Sequence, residues 1–158
     1  MGTNAGLYDT DFYAWVQAQA ALLAARRFEE LDLPHLVEEL QLMGSSERGE
    51  LANRLSVLLA HLLKLQIAAA RLPYIYDRAQ RGWRLTCTEQ RLQLKRLLRR
   101  NPSLRPTVSD ELSDAYAIAR LQAAIALGVD ETSMPLTCAW TPEEVLEADF
   151  WPTGEPGA

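Results

Sequence analysis

This chain of 158 residues has few cysteines, no long uninterrupted apolar run and no basic segment among its first residues. Its two cysteines, Cys87 and Cys138, have no paired spacing, so neither a disulfide framework nor a zinc knuckle is expected, which is typical of a reducing cytosol. The most apolar stretch, residues 51–70, is interrupted by side chains such as Arg54 and Lys64 and is too polar to span a bilayer. The first residues lack a basic segment followed by an apolar run, so no signal peptide is expected. These absences predict a soluble, cytoplasmic protein that does not act in a membrane.

Sequence patterns of common enzyme classes are also missing. There is no glycine-rich loop in a strand–turn–helix setting, as phosphate-binding and dinucleotide-binding folds require, and no serine-hydrolase motif. Cys87 is predicted to lie in the first turn of a helix among arginines, where a thiolate is favoured, but neither histidine is near it in sequence. A buried packing role is therefore the favoured interpretation. The sequence indicates no cofactor and favours a protein that is not an enzyme.

One candidate metal site can be assembled from the two histidines. His35, Glu38 and Glu39 share a helix face at spacings of three and four residues, and His61 could join them from the next predicted helix. Such pairs line metal sites inside helical bundles, and a catalytic zinc site needs three protein ligands. The alternative is that His35 is a surface residue, that the glutamates pair with arginines, and that His61 borders the core.

Composition and periodicity predict an all-α protein. At 48% hydrophobic residues the chain can bury a sizeable core, and its apolar residues recur at steps of three and four. We expect one domain over residues 1–152, a helical bundle of about five to six helices, followed by a frayed tail over residues 153–158.

The first half of the chain predicts three helices. The first runs from Asp9 or Thr10 to about Arg27, and the second starts at Asp32 and stops at Gly44. A long central helix over about residues 46–71 then presents a broad leucine face, and Pro73 ends it.

The second half predicts three more. Thr86 and Glu89 form a capping-box pattern, which predicts a helix from about Cys87 to Arg100. A further helix spans about residues 106–127 and is closed by Gly128, and Thr141 starts a short last one.

Charge is strongly segregated along the chain. Residues 78–106 carry nine cationic side chains and one acidic side chain, whereas the net charge of the whole chain is −5. The spacing places Arg84, Arg91, Lys95 and Arg99 on the outer side of the predicted basic helix, close to Trp83. These five residues form a candidate interaction surface, because arginine and aromatic side chains are enriched in binding hot spots. The alternative is that they pair with the protein's own acids, such as Glu38, Glu39, Asp110, Glu111 and Asp114, or stay solvated.

Three functional hypotheses follow from these patterns. The leading one is a non-catalytic helical module that binds another protein or a second copy of itself. The alternative is a nucleic-acid-binding module that uses the basic helix over residues 84–100, although the acidic net charge and the absence of a helix-turn-helix pattern disfavour it. The third is a metal-dependent enzyme that uses His35, Glu38, Glu39 and His61.

Several segments, in order along most of the chain, resemble the bacterial domain-of-unknown-function family 29. The matching segments are residues 8–15 (YDTDFYAW), 31–40, 58–64 (LLAHLLK), 83–91 (WRLTCTEQR), 102–106 (PSLRP) and 142–152. The resemblance implies an all-helical bacterial protein to which no biochemical activity is attached.

Overall fold

A computed structural model describes residues 5–155 of the chain. These residues form six α-helices, four of them long, and no strand, so the predicted all-α class and number of helices are confirmed. The α-helices are α1 (Ala5–Thr10), α2 (Phe12–Ala24), α3 (Leu33–Arg71), α4 (Pro73–Arg100), α5 (Val108–Leu127) and α6 (Pro142–Leu146). Three short 3₁₀ helices connect them, at Phe28–Glu30, Pro102–Thr107 and Glu131–Ser133.

The chain divides into two compact units, an N-terminal unit that ends at Ser46 and a C-terminal unit that begins at Glu47. The division falls inside the continuous helix α3. Whether residues 1–152 form one domain stays a prediction. Of the predicted tail, residues 156–158 lie outside the described residues.

Two predicted helix boundaries in the first half are wrong. The first predicted helix is two helices, because the Asp11 carboxylate accepts a hydrogen bond from the Ala14 amide and caps α2 there. Arg26 ends α2 with a left-handed backbone conformation (φ 58°). The predicted stop at Gly44 and the start of the central helix near residue 46 are replaced by one helix, α3, which begins at Leu33 and passes through Gly44. A glycine costs a helix interior about 1 kcal/mol, which a helix of 39 residues can absorb.

The predicted start of the basic helix is also wrong, because a residue pattern that was expected to begin a helix lies inside one. α4 begins at Pro73 and not at Cys87, so Thr86 lies in the helix interior and its hydroxyl donates to the Gly82 carbonyl one turn earlier. Threonine can satisfy its hydroxyl in this way inside a helix, and a capping-box spacing alone therefore does not define a helix start. The capping box that does form is at α6, where Thr141 and Glu144 satisfy each other's backbone amides.

The other predicted boundaries are confirmed within one or two residues. α3 ends one residue before Leu72, α4 ends at the cap residue Asn101, and Gly128 closes α5 in the left-handed conformation. Pro142 is in the first turn of α6, after the cap residue Thr141.

The core of the C-terminal unit is aliphatic. All the leucines predicted for the central helix face are buried, and α4 and α5 add leucines and small residues that allow close helix packing. The main contributors are Leu51, Leu55, Leu58, Leu59, Leu62, Leu63 and Leu65 of α3, Leu94, Leu97 and Leu98 of α4, and Leu112, Ala115, Ala119 and Ala123 of α5.

The N-terminal unit is held by polar and aromatic contacts. The Asp32 carboxylate accepts hydrogen bonds from Trp15 Nε1 at 3.1 Å and from His35 Nδ1 at 2.7 Å. The His35 ring stacks on Tyr8 with centroids 3.9 Å apart, and the Tyr8 hydroxyl donates to Glu39 at 2.6 Å. These contacts fasten α1 and the start of α2 to the first two turns of α3.

Candidate functional site

Arg91 is buried, with 6% of its surface exposed, and does not lie on the outer side of α4 as its spacing predicted. Its guanidinium donates to three main-chain carbonyls, those of Val145 at 2.9 Å, Ala148 at 3.3 Å and Phe150 at 2.8 Å. These carbonyls lie at and just after the end of α6, where helical carbonyls have no partner of their own. Burial lowers the pKa of Arg91 from its ordinary value. Arg91 therefore fixes the C-terminal segment to α4.

Arg84 takes part in the same contact. The guanidinium groups of Arg84 and Arg91 lie 4.7 Å and 4.9 Å from the Trp151 ring, which is thus within cation–π distance of two arginines. Arg84 also approaches the Tyr76 hydroxyl, at 3.4 Å. Of the four basic residues predicted on the outer side of the basic helix, Arg84 and Arg91 therefore contact other parts of the same protein.

The partners of these arginines are not the acids that the sequence suggested. Among residues 5–155, no cationic side chain of α4 forms an ion pair. Of the acids named as partners, Glu111 pairs with Arg48 of α3, and Glu39 accepts from Tyr8. For Arg84 and Arg91, main-chain carbonyls and aromatic side chains take the place of the carboxylate partners that the sequence suggested, whereas Lys95 and Arg99 are exposed.

Trp83 is half-buried and packs against the core, with the Lys64 ammonium 5.2 Å from its ring. Next to it, Cys87 is fully buried, and burial raises the pKa of its thiol to about 11, outweighing the nearby Arg91, Lys64 and Arg84. The thiol is therefore protonated at neutral pH, and the interpretation of Cys87 as a packing residue is confirmed.

Lys95 and Arg99 are exposed, and each lines a groove of the C-terminal unit. The groove beside Lys95 has a volume of about 490 Å³ and lies between α4 and the end of α6. Leu92, Leu98 and Leu146 give it an apolar floor, and Lys95 and Arg105 flank it; we call it the α4–α6 groove. The groove beside Arg99, of about 430 Å³, is lined by charges of both signs, with Arg96 and Arg100 facing Glu47 and Glu50.

The candidate metal ligands lie on one helix. His35 and His61 are both in α3, 26 residues apart, and not on neighbouring helices as the candidate site required. His35 is bonded to Asp32 and Glu39 to Tyr8, while His61 Nδ1 donates to the Val57 carbonyl at 2.8 Å. In the described part of the chain, no group of three or more His, Cys, Asp or Glu side chains is placed to hold a metal ion.

Sequence reasoning missed a second buried arginine. Arg120 of α5 donates to the carbonyls of Glu131 at 3.0 Å and Met134 at 3.3 Å, and so fixes the segment after α5 as Arg91 fixes the segment after α6. The available signal was that Arg120 is the one cation among the last 52 residues, within an alanine-rich helix.

The family model of the domain of unknown function DUF29 matches residues 7–151, nearly the whole chain. The chain belongs to DUF29. The resemblance inferred from the short segments is thereby confirmed, and the biochemical activity of the family is unknown. No curated protein and no solved structure matches the chain.

None of the described helices of this DUF29 protein is both long and apolar enough to cross a membrane.

Proposed function

We propose that this DUF29 protein is a non-catalytic helical protein-interaction module and that it binds its partner in the α4–α6 groove. The observation that carries the proposal is the composition of that groove, in which apolar side chains lie between cations that no described acid pairs with. Leu92 is 58% exposed and lies next to Leu98 and Leu146 in the lining of the groove, so an apolar ligand side chain could cover it.

The groove suits an amphipathic helix that carries acidic residues. Such a helix places apolar side chains at steps of three and four residues, which could contact Leu92, Leu98 and Leu146, while its carboxylates reach Lys95 and Arg105. The volume of about 490 Å³ is enough for two or three apolar side chains but small for a folded domain. Glu147, at the rim, would disfavour a ligand with uninterrupted negative charge, such as a nucleic-acid backbone.

The other candidate residues already contact groups within the protein, which supports a non-catalytic role. The guanidinium groups of Arg84 and Arg91 contact other groups of the protein and so do not contribute to a surface that could bind phosphates. His35, Glu39 and His61 each bond a different group. Two thiols that form no disulfide support a location in a reducing compartment, and the family resemblance supports a bacterial cytoplasm.

Fluorescence anisotropy with defined probes tests the proposal. The probes are a synthetic amphipathic helical peptide with leucine at helical spacing and glutamate on the flanks, the same peptide with lysine for glutamate, and single-stranded and duplex DNA. We expect the acidic peptide to bind, with an affinity that falls as salt is raised. Lys95→Glu with Arg105→Glu is expected to weaken binding on the order of tenfold or more, because each reversal replaces an attraction by a repulsion.

Arg81→Glu is the matched control, since Arg81 is an exposed arginine of α4 that does not line this groove. It is expected to change the affinity for the acidic peptide by less than about twofold. Equal binding of both peptides, or no effect of the double reversal, would contradict the groove as the site. Binding of DNA that is lost in the Lys95/Arg105 variant would replace the proposal by the nucleic-acid module.

A further inference from the structure

Helix α2 has no charged residue in its 13 positions, and its apolar side chains lie on every side of the helix. A helix of this kind is normally buried all round. Within the described residues, however, only Trp15, Gln19 and Leu22 of α2 are buried. Tyr13, with 74% of its surface exposed, and Leu23, with 46%, lie on an uncovered face.

The first part of α3 shows the same mismatch. Leu33, Val37 and Leu40 recur at steps of four and three residues and are all more than half exposed. The same repeat continues along the helix through Gly44 and Glu47 to Leu51, Leu55 and Leu58, which are fully buried by the core of the C-terminal unit. One face of one helix is therefore covered in its second half and uncovered in its first.

The uncovered faces of α2 and α3 lie on the same side of the N-terminal unit. Contacts of Trp15 with Asp32 and His35, and of Gln19 with the Asp32 amide, define the sides on which α2 and the start of α3 meet. The earlier residue Tyr8 contacts the later residue Glu39, so the two segments run antiparallel. Successive residues of an α-helix are rotated by about 100° around its axis. On both helices the centre of the uncovered face lies about 100° around the axis from the contact side. Because the helices are antiparallel, these rotations point both faces in one direction. We call this side the apolar face; it comprises Phe12, Tyr13, Val16 and Leu23 of α2 and Leu33, Val37, Leu40 and Met43 of α3.

We propose that the apolar face binds the apolar face of a second copy of the chain, so that two N-terminal units form a four-helix bundle about a twofold axis. The face is self-complementary, since both helices carry apolar residues at spacings close to the heptad that such bundles use. A twofold dimer places the same patch on both partners, which this geometry allows.

The area supports a second copy as the occupant. The eight side chains of the face are 37–74% exposed. At on the order of 100 Å² each, they would bury about 800 Å² per copy, which is the size of a stable protein interface. The face itself carries no charge, whereas the unit around it is acidic, with Asp9, Asp11, Glu29 and Glu38 exposed. This surrounding charge disfavours an anionic membrane or nucleic acid as the occupant.

Sedimentation equilibrium of the full chain, across a concentration series, tests the proposal. The wild-type chain is expected to have the mass of a dimer, and Tyr13→Glu with Leu40→Glu that of a monomer, with a dissociation constant raised at least about a hundredfold because two charges per copy would be desolvated. Ile118→Glu with Ile125→Glu is the matched control. These isoleucines of α5 are 54% and 74% exposed in the C-terminal unit, so the control variant is expected to stay dimeric.

Salt gives a second readout. Because the acidic units repel each other, we expect the dimer to be as stable or more stable at high ionic strength, the opposite of peptide binding in the α4–α6 groove. Lys95→Glu with Arg105→Glu is expected to leave the dimer intact, so that failure of one proposal does not imply failure of the other. If the charge variant loses its helical circular dichroism, Tyr13→Gln with Leu40→Gln replaces it and is expected to give the monomer. A monomeric wild-type chain, or a dimer that survives both variants, would overturn the proposal.

Discussion

The N-terminal and C-terminal units are stabilised by different chemistry. The first relies on a cluster of Tyr8, Trp15, Asp32 and His35, whereas the second buries an aliphatic core and two arginines bonded to main-chain carbonyls. A segment of 46 residues can bury a smaller fraction of its surface by itself than the longer C-terminal unit can. The same apolar repeat in α3 therefore identifies a helix face in both units, but it does not say what covers that face.

Alanine substitutions at two leucines of the α3 repeat, one buried and one exposed, are expected to differ most in their effect on stability. Leu58→Ala is expected to lower the free energy of unfolding of the C-terminal unit by about 3 kcal/mol, because it leaves a cavity in a fully buried site. Leu40→Ala, on the same helix face, is expected to cost less than about 0.5 kcal/mol at concentrations too low for dimerisation. Denaturant titration followed by circular dichroism measures both, and similar losses for the two variants would show that the face is covered throughout.

Removing the Arg91 guanidinium is expected to have the next largest effect. Arg91→Gln would leave the carbonyls of Val145, Ala148 and Phe150 without their donor and lower the free energy of unfolding by about 2–3 kcal/mol. Proteolysis within residues 141–155 is expected to accelerate. Arg99→Gln, at an exposed arginine of the same helix, is the control and is expected to leave both properties unchanged. Equal sensitivity at the two positions would mean that Arg91 is not a structural tie.

Replacing the glycine at the predicted helix stop is expected to be mildly stabilising. A Cβ at Gly44 would meet nothing within 4 Å, and the backbone there is helical, so Gly44→Ala should raise stability by about 0.5–1 kcal/mol and keep or raise the helical signal. Gly128→Ala is the contrasting variant, because Gly128 has φ 66° and alanine would be strained there. A loss of helicity in Gly44→Ala would show that α3 is interrupted after all.

The two histidines are expected to titrate on opposite sides of the ordinary histidine pKa of 6.5. The hydrogen bond to Asp32 raises the pKa of His35, whereas burial lowers the pKa of His61. His35 therefore contributes stability below pH 6.5 that is lost as pH rises through its raised pKa. Asp32, whose pKa is lowered by the same bond, contributes stability above its ordinary value of 3.8 that is lost as pH falls through the lowered pKa.

His61 acts in the opposite sense, since its lowered pKa gives stability above pH 6.5 that is lost as pH falls. Ring-proton chemical shifts followed by NMR across pH measure both values. Asp32→Asn is expected to bring the pKa of His35 back toward 6.5 and to leave that of His61 unchanged. Coincident titration of the two histidines would contradict the contrast between the units.

Local sequence signals predicted those features of the fold that depend on only a few neighbouring residues, such as helix ends. Pro73, Asn101, Gly128 and Thr141 mark helix boundaries because each changes the backbone at its own position. Gly44 and Thr86 misled because both residue types are tolerated inside a helix: a glycine costs only about 1 kcal/mol there, and a threonine hydroxyl can donate to the carbonyl one turn earlier.

The candidate site was harder to predict than the fold. Helical spacing placed Arg84 and Arg91 on the outer face, but the carbonyls that Arg91 binds lie 54–59 residues further along the chain. The spacing of residues along one helix does not indicate which distant segment of the chain will pack against that helix. The sequence did identify Lys95, which is exposed and lines the α4–α6 groove.

The bonds of Arg91 also constrain the order in which the protein can be completed during synthesis. Chains emerge from the ribosome amino-terminal end first, so α4 is exposed to solvent well before Val145, Ala148, Phe150 and Trp151 have been translated. Until those residues arrive, the side of α4 that they will cover presents a cation and apolar surface to the cell. Final folding of the C-terminal unit is therefore expected to wait until residues 145–151 have emerged from the ribosome.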